Sequence, residues 1–363
     1  MKIVKKIVCW VIGILNVLVV AGMIVCAYSI YLRPTDYPNW SCLGMVLPLF
    51  VIATLIFLLI WPFLKWKYCA ISVLGIIICW GSIRDYCPIN LFKGVPEGKT
   101  INVLSYNVQM FRNYNYESGK TDIADYIINS QADVVCLQDI WYGQLKQPYT
   151  SFNAVYPYIH KGKEVGTDCV LLSKFPILSA QKIDLGSSAA RCMSYNLQVY
   201  DDTVKVINCH LESYLLSDED KELYKQIVKR SVHMENDQVE DTINMKQSFW
   251  WLEGKVAKAN AARSLQADRL KQLIDELPNK YIIVCGDFND SPVSYVHKTL
   301  TEKLKDAYTE SGNGPGWSYN QNGMYFRIDH ILMSESFNSY NAKVDKYRQE
   351  SDHYPIFCTL EMR

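Results

Sequence analysis

Apolar residues crowd the first quarter of the chain and then thin into short runs, a change of rhythm that divides the sequence in two. Residues 7–32 are almost uncharged over 26 positions, and as a helix they exceed the ~30 Å of a hydrocarbon core. A second such run covers 43–64, and a third, shorter one covers 66–83. Together they predict an all-α transmembrane anchor of three helices over residues 1–83. A cleaved signal peptide is the competing reading, since Lys2, Lys5 and Lys6 precede the first run. Its apolar core is too long for that, no small-x-small cleavage site follows, and two more apolar runs come directly after. If the helices alternate, Lys2, Lys5, Lys6, Lys65 and Lys67 share one side, while the first loop holds only Arg33. The positive-inside bias then predicts an integral protein of a plasma or inner membrane, its N-terminus cytoplasmic and its C-terminal part extracytoplasmic. Losing the third helix would reverse that side.

Residues 84–100, with Pro88, Gly94, Pro96 and Gly98, have no periodicity and predict a linker. Beyond it, apolar runs rich in Val, Ile, Leu, Tyr and Cys predict strands at 101–107, 132–138, 168–173, 192–199, 203–209, 281–286, 327–333 and 354–361. Thr121 to Asn129 fits a helix with Ile123 and Ile127 on one face. Residues 255–277 fit another, with Leu270, Leu273, Ile274 and Leu277 as its stripe and Pro278 as its stop. Strands with few long helices between them predict two packed sheets flanked by helices over 101–363. The charged stretch at about 213–254, with Trp250 and Trp251 near its end, predicts a helical insertion. It suits a solvated excursion, a lid, or a surface resting on a headgroup layer.

The chain has 37 Lys and Arg and 37 Asp and Glu, but the halves differ. Residues 1–90 hold seven basic and two acidic side chains, which leaves 30 and 35 beyond them, a net charge of about −5. A sequence-blind nuclease draws most of its affinity from phosphate neutralisation by cations, so this balance leans away from a stable nucleic-acid partner. Of the twelve Cys, six lie in or beside the apolar N-terminal runs and six inside predicted strands. They read as small buried hydrophobes, with no CxxC pair to suggest zinc.

Six patches each carry a polar side chain at the tip of an apolar run. They are Ser105-Tyr106-Asn107, Leu137-Gln138-Asp139, Asn208-Cys209-His210, Gly286-Asp287-Phe288-Asn289, Arg327-Ile328-Asp329-His330 and Ser351-Asp352-His353. Carboxylates, amides and imidazoles delivered from several strand ends are what a metal-assisted hydrolytic site needs. In this order, over roughly residues 99–363, the patches resemble the endonuclease/exonuclease/phosphatase superfamily, which includes deoxyribonuclease I, abasic-site endonucleases, neutral sphingomyelinases and inositol polyphosphate 5-phosphatases. The resemblance implies a four-layer α/β sandwich, two packed mixed β-sheets flanked by helices, behind the helical anchor.

The resemblance also implies roles. Asp139 stands where the family has its main metal-binding Glu, one methylene longer, and Asn107 and Asp352 complete a site for Mg²⁺ or Mn²⁺. Asp287 would orient or deprotonate the attacking water, with Asn289 holding that geometry. His353 would sit against the scissile phosphate, paired with Asp329, while Asn208 and His210 would contact phosphate oxygens. Taken one at a time, such Asp and Asn residues have a competing reading as ordinary turns and caps, which for Asp287 and Asn289 alone is as good as the functional one. His330 points to the opposite strand face and reads as structural. Asp168 is a candidate to orient His210, and Glu212, Arg191 and Arg263 are candidate phosphate or supporting groups. The expected function is a membrane-anchored metal-dependent phosphoesterase acting on a lipid headgroup or lipid-linked phosphate. An exported nuclease for DNA or RNA and a catalytically silent anchored binding domain are the alternatives, and the oligomeric state is open.

Overall fold

The computed structural model describes residues 2–363 except 93, 112–121, 141–150, 161–168, 188, 233–238, 322 and 348–349. The N-terminal unit is helical: α1 (Lys2–Tyr28), α2 (Leu47–Leu64), α3 (Cys69–Ile78) and α4 (Trp80–Tyr86). Residues Lys6–Tyr31 and Asn39–Leu64 each form a 26-residue stretch long and apolar enough to cross a membrane. The third apolar run is bent by 67° between α3 and α4, so it is a broken helix and not the straight one its composition predicts.

Two six-stranded sheets follow. In the first, β1 (Thr100–Asn107) and β2 (Val134–Gln138) are parallel neighbours, flanked by β14 (Ile356–Met362) and β4 (Val170–Ser173), with β13 (Phe337–Val344) and β3 (Tyr158–His160) at the edges. In the second, β7 (Asp202–His210) and β8 (Tyr281–Asp287) are the parallel pair, flanked by β6 (Arg191–Val199) and β12 (Asp329–Met333), with β5 (Ile177–Lys182) and β9 (Lys305–Asp306) outermost. A small hairpin pairs β10 (Tyr319–Gln321) with β11 (Met324–Phe326).

Period-two alternation builds the layers. Val103, Val134 and Cys136 of the first sheet meet Val206, Ile283 and Cys285 of the second in the central core. Their neighbours Leu104, Val135 and Leu137 turn outward onto α5 (Asp122–Asn129) through Ile123 and Ile127. On the far side, Ile207, Val284 and Leu332 pack on Ala267, Leu270 and Ile274 of α7 (Val239–Glu276) and on Val296 of α8 (Tyr295–Leu300). The result is the four-layer α/β sandwich. Two elements read separately in the sequence, the tail of the insertion and the helix at 255–277, are one helix of 38 residues, preceded by α6 (Asp218–Val232). The remaining helix, α9 (Ala307–Ser311), is capped by Asp306, whose carboxylate accepts from the Tyr308 N–H.

The helical unit is docked on the sandwich. Arg33 meets Asp268 at 2.6 Å and Arg84 meets Glu310 at 2.7 Å. Val293, just past β8, is buried with Met23, Cys26, Leu47 and Cys79. Residues 84–100 are also tied down: Arg84 belongs to α4, the Asn90 amide donates to the carbonyls of Thr309 and Gly312, and the Glu97 and Gly98 N–H groups donate to Glu361.

Where β7 and β8 run parallel, Gly286 opposes Cys209 with φ +138°, and a Cβ added there would lie 1.8 Å from the Cys209 carbonyl oxygen. No L side chain fits. Gly286→Ala is expected to cost at least ~1–3 kcal/mol, lowering the melting temperature by roughly 2–4 °C per kcal/mol in a thermal melt of the full chain.

Candidate active site

The carboxyl ends of the two parallel strand pairs meet on one edge of the sandwich, the place where open α/β sheets gather functional groups. β1 and β2 bring Asn107 and, one residue beyond β2, Asp139, while β7 and β8 bring His210 and Asp287 in register. β12 adds Asp329, opposite Asp287. The turn before β14 adds Asp352 and His353.

Asp287 is the hub. Its side chain is 1% exposed, and Oδ1 accepts the Asn289 N–H at 2.8 Å. Oδ2 accepts the Asn107 amide at 3.0 Å, across from the other sheet, and lies 3.6 Å from His353 Nε2 and 3.7 Å from His210 Nε2. His353 Nδ1 bonds Asp329 Oδ2 at 2.8 Å, so its two nitrogens face two carboxylates. Burial by itself would push the imidazole pKa down, but Asp329 and then Asp287 outweigh it and raise it to about 10. The Asp329 carboxyl is itself raised by burial, against the pull of His353. The pair therefore holds a proton, and His353 is cationic at neutral pH.

Asp139 and Asn289 take left-handed backbone conformations, φ +54° and +52°, which Asp and Asn tolerate better than longer side chains. That is a local reason for Asp to stand where the family pattern has Glu. Asn107, Asp139, His210, Asp287, Asp352 and His353 line one cavity of about 470 Å³. Ligand atoms of Asp287, Asp329 and His353 lie within 4.8 Å of one another, and Asp329 Oδ1 is buried with no hydrogen-bond partner. The oxygens of Asn107, Asp139 and Asp352 on the same cavity wall are donors that fit a hard divalent cation, whereas the protonated His353 offers none.

Asn208 is elsewhere. It is wholly buried, its amide donating at 3.0 Å to the carbonyls of Leu137 and Val170 and its Oδ1 accepting from Gln138 at 2.7 Å. It pins one sheet to the other below the cavity, which corrects the expectation that it grips phosphate. Glu212 is engaged by Ser187 and Gln266, and Arg263 is fully buried against Asp290, Asn260 and the Glu212 carbonyl. Both support loops, and neither lines the cavity. Arg191 sits opposite His210 on β6, and Asp168 lies outside the described residues. His330 points away from the cavity, its Nε2 3.0 Å from the Asp290 carbonyl. His297, Asp306 and His330 form a second cluster, in which Arg327 lies 3.8 Å from Asp306 and supplies the positive charge.

Sequence reasoning missed Tyr319, whose ring meets that of His353 edge-on at 5.2 Å and whose hydroxyl pKa is raised by burial and by Asp352. It also missed the apolar wall of the cavity, Met45 included. Tyr319 stands in a three-residue strand with no periodic signal, and Met45 lies far from every motif.

A family model for the endonuclease/exonuclease/phosphatase family matches residues 104–353, a span that holds every residue of the cluster. The chain belongs to the endonuclease/exonuclease/phosphatase family. Members of this family are metal-dependent phosphoesterases and nucleases, and the chain is an enzyme of that type. A domain of unknown function matches residues 5–86, and no curated protein matches the chain. Among solved structures, an endonuclease/exonuclease/phosphatase family protein from Bacteroides thetaiotaomicron is 18% identical with TM-score 0.51, the match covering 73% of this chain and 96% of that one. Truncated TDP2 from Caenorhabditis elegans is 16% identical with TM-score 0.50, covering 72% and 98%. Humanized TDP2 from D. rerio gives 16%, TM-score 0.50, 73% and 100%. At these identities the three establish the sandwich fold of this family member and nothing about its substrate.

Proposed function

We propose that this family member is a membrane-anchored, Mg²⁺- or Mn²⁺-dependent phosphoesterase that cleaves a phosphate ester of the bilayer on the extracytoplasmic side. The observation that carries the reading is the cavity: its polar residues come from strand ends, and other walls come from apolar side chains, among them Met45, near the start of the apolar stretch Asn39–Leu64. Among the described residues lining it, Lys221 is the only lysine or arginine. That is a poor track for a polynucleotide, whose affinity comes mostly from cations that neutralise its phosphates. Phe249, Trp250 and Trp251 are half or more exposed on α7 and suit a headgroup layer.

In this reading, Asp139, Asn107 and Asp352 hold the cation, which when bound neutralises charge on the phosphoryl oxygens. Asp287, held by Asn107 and the Asn289 N–H, takes a proton from the water whose oxygen attacks phosphorus. The cationic His353, steadied by Asp329, stabilises the added negative charge together with Asn289. The bond from phosphorus to the leaving oxygen breaks, and His210 returns a proton to that oxygen.

Docking supports the orientation. Arg33 of the first loop and Arg84 beyond the third run both touch the sandwich, which supports a common side for these two points. If α1 and α2 both cross, the bent third run crosses back, leaving Lys2, Lys5, Lys6, Lys65 and Lys67 on the opposite, cytoplasmic side. Added protease is expected to cut the catalytic domain on intact cells. Cutting only after permeabilisation overturns the orientation. For the activity, the full chain in vesicles is assayed on phospholipid, on lipid-linked phosphate and on plasmid. Turnover of a lipid substrate, lost with chelator and restored by Mg²⁺ or Mn²⁺, is expected. Chelator-resistant turnover, or plasmid cleaved faster than any lipid, sinks the proposal.

A further inference from the structure

Part of the cavity has no task in the chemistry above. Met45, Leu216, Tyr224, Leu252, Val256 and Phe326 line it beside the carboxylates and imidazoles. They come from four places in the chain: the short helical turn Asn39–Val46 that leads into α2, the segment entering and forming α6, one face of α7 where Leu252 and Val256 are one turn apart, and β11. Attack of water on a phosphate requires none of them, and covering such apolar side chains with an apolar group is favourable.

We infer that this wall is a chamber for the hydrocarbon of the substrate, a linear alkyl or acyl chain joined within a few bonds of the scissile phosphate. The inference rests on the phosphoesterase reading and names the substrate class of that same site. The volume of about 470 Å³ lies within the ~300–1,000 Å³ of small-molecule sites, room for a phosphate and part of one chain. The occupant follows from continuity with the anchor. Met45 belongs to the segment Asn39–Val46, which runs directly into α2, so one wall of the chamber is an extension of a bilayer-spanning helix. The segment is held in place. The Asn260 amide donates to Ser41 Oγ at 3.0 Å, and Gly44 lies so close to the Val293 carbonyl that a Cβ would sit 1.9 Å from its oxygen. The anchor is therefore part of the binding site as well as a tether.

The test uses the full chain in nanodiscs, with n-alkylphosphonates from ethyl to decyl as binding probes and n-alkyl 4-nitrophenyl phosphates of the same lengths as substrates. Affinity and kcat/KM are expected to climb by about fourfold per methylene, the worth of a buried CH₂, until the chamber is full. Leu252→Trp and Met45→Trp, which fill it, are expected to bring the decyl-to-ethyl ratio down toward the bilayer partition that all variants share. Leu252→Asn keeps the branched shape without adding bulk, makes the wall polar, and is expected to lower the ratio in the same direction should the larger variants fail to fold. A flat wild-type profile, or a ratio that none of the folded variants lowers, overturns the chamber. Turnover of the ethyl probe with a flat profile removes the chamber and leaves the hydrolase. Chain-length-dependent binding with no turnover of any probe in Mg²⁺ or Mn²⁺ removes the hydrolase and leaves the chamber.

Discussion

Asp287→Asn lowers kcat by about 100- to 10,000-fold, the range of a lost general base, and leaves the fold in place. The substitution preserves shape, and an amide oxygen in the Oδ1 position still accepts the Asn289 N–H that the carboxylate takes at 2.8 Å. What changes is the other atom. Oδ2 accepts from Asn107 at 3.0 Å and faces both imidazoles within 3.7 Å; an NH₂ group there turns a donor toward donors and removes the charge that helps hold His353 cationic. KM is expected to move far less than kcat, because the lost interaction belongs to the transition state. Steady-state kinetics on whichever phosphoester the full chain turns over provide the check, with a melting curve to exclude unfolding. A loss under tenfold with a normal melt would take Asp287 out of the chemistry.

The sequence exposed the interior of this fold and hid its margins. The eight strands read from apolar runs, β1, β2, β4, β14, β6, β7, β8 and β12, are the four central members of each sheet. They are covered on both faces, and covered strands are apolar throughout. The six strands missed are the four edges, β3, β13, β5 and β9, and the β10–β11 hairpin. β3 and β9 have only three and two residues, while β5 and β13 are longer and interleave polar side chains, because a long apolar edge would recruit another chain. The Ile177–Lys182 edge is exposed at five of its six positions.

The same division governs the candidate site. Asn107, Asp139, His210, Asp287, Asp329, Asp352 and His353 gave a signal because each stands at a strand terminus or a few residues from one, where a polar residue interrupts a run. Asn208 carried the same signature two residues too early. At that depth the side chain meets carbonyls of the opposite sheet and not the cavity. Tyr319, Met45, Leu252 and Val256 gave no signal, because only the folded chain brings the start of the second apolar stretch, α7 and the hairpin over the strand ends.

Arg263 shows the same limit most sharply, and it carries the largest expected effect on stability. A guanidinium near the motifs suits a phosphate ligand on sequence alone. In the fold it is 0% exposed, 3.5 Å from Asp290, bonded to the Glu212 carbonyl and Asn260 Oδ1, and stacked on Tyr214 at 4.2 Å. Burial raises the Asp290 carboxyl pKa and Arg263 pulls it back. Arg263→Met is expected to cost about 3–5 kcal/mol by leaving that carboxylate buried and unpaired, a fall of roughly 6–20 °C in melting temperature. The sign with pH is fixed by linkage. A folded-state carboxyl pKa above the unfolded value means the native state binds the proton more readily. Stability is then lost as pH rises from the ordinary carboxylate range to the raised pKa, and the cost is full above it. Without the arginine that raised pKa climbs further, so the variant regains stability on acidification over a wider range than the parent. Adding Asp290→Asn removes the second charge and is expected to restore most of the loss at neutral pH, which a larger cavity or a lost stack on Tyr214 would not allow. A double variant as unstable as Arg263→Met would mean that packing, and not the buried charge pair, is what Arg263 contributes beneath the Asp287–Asn289 turn.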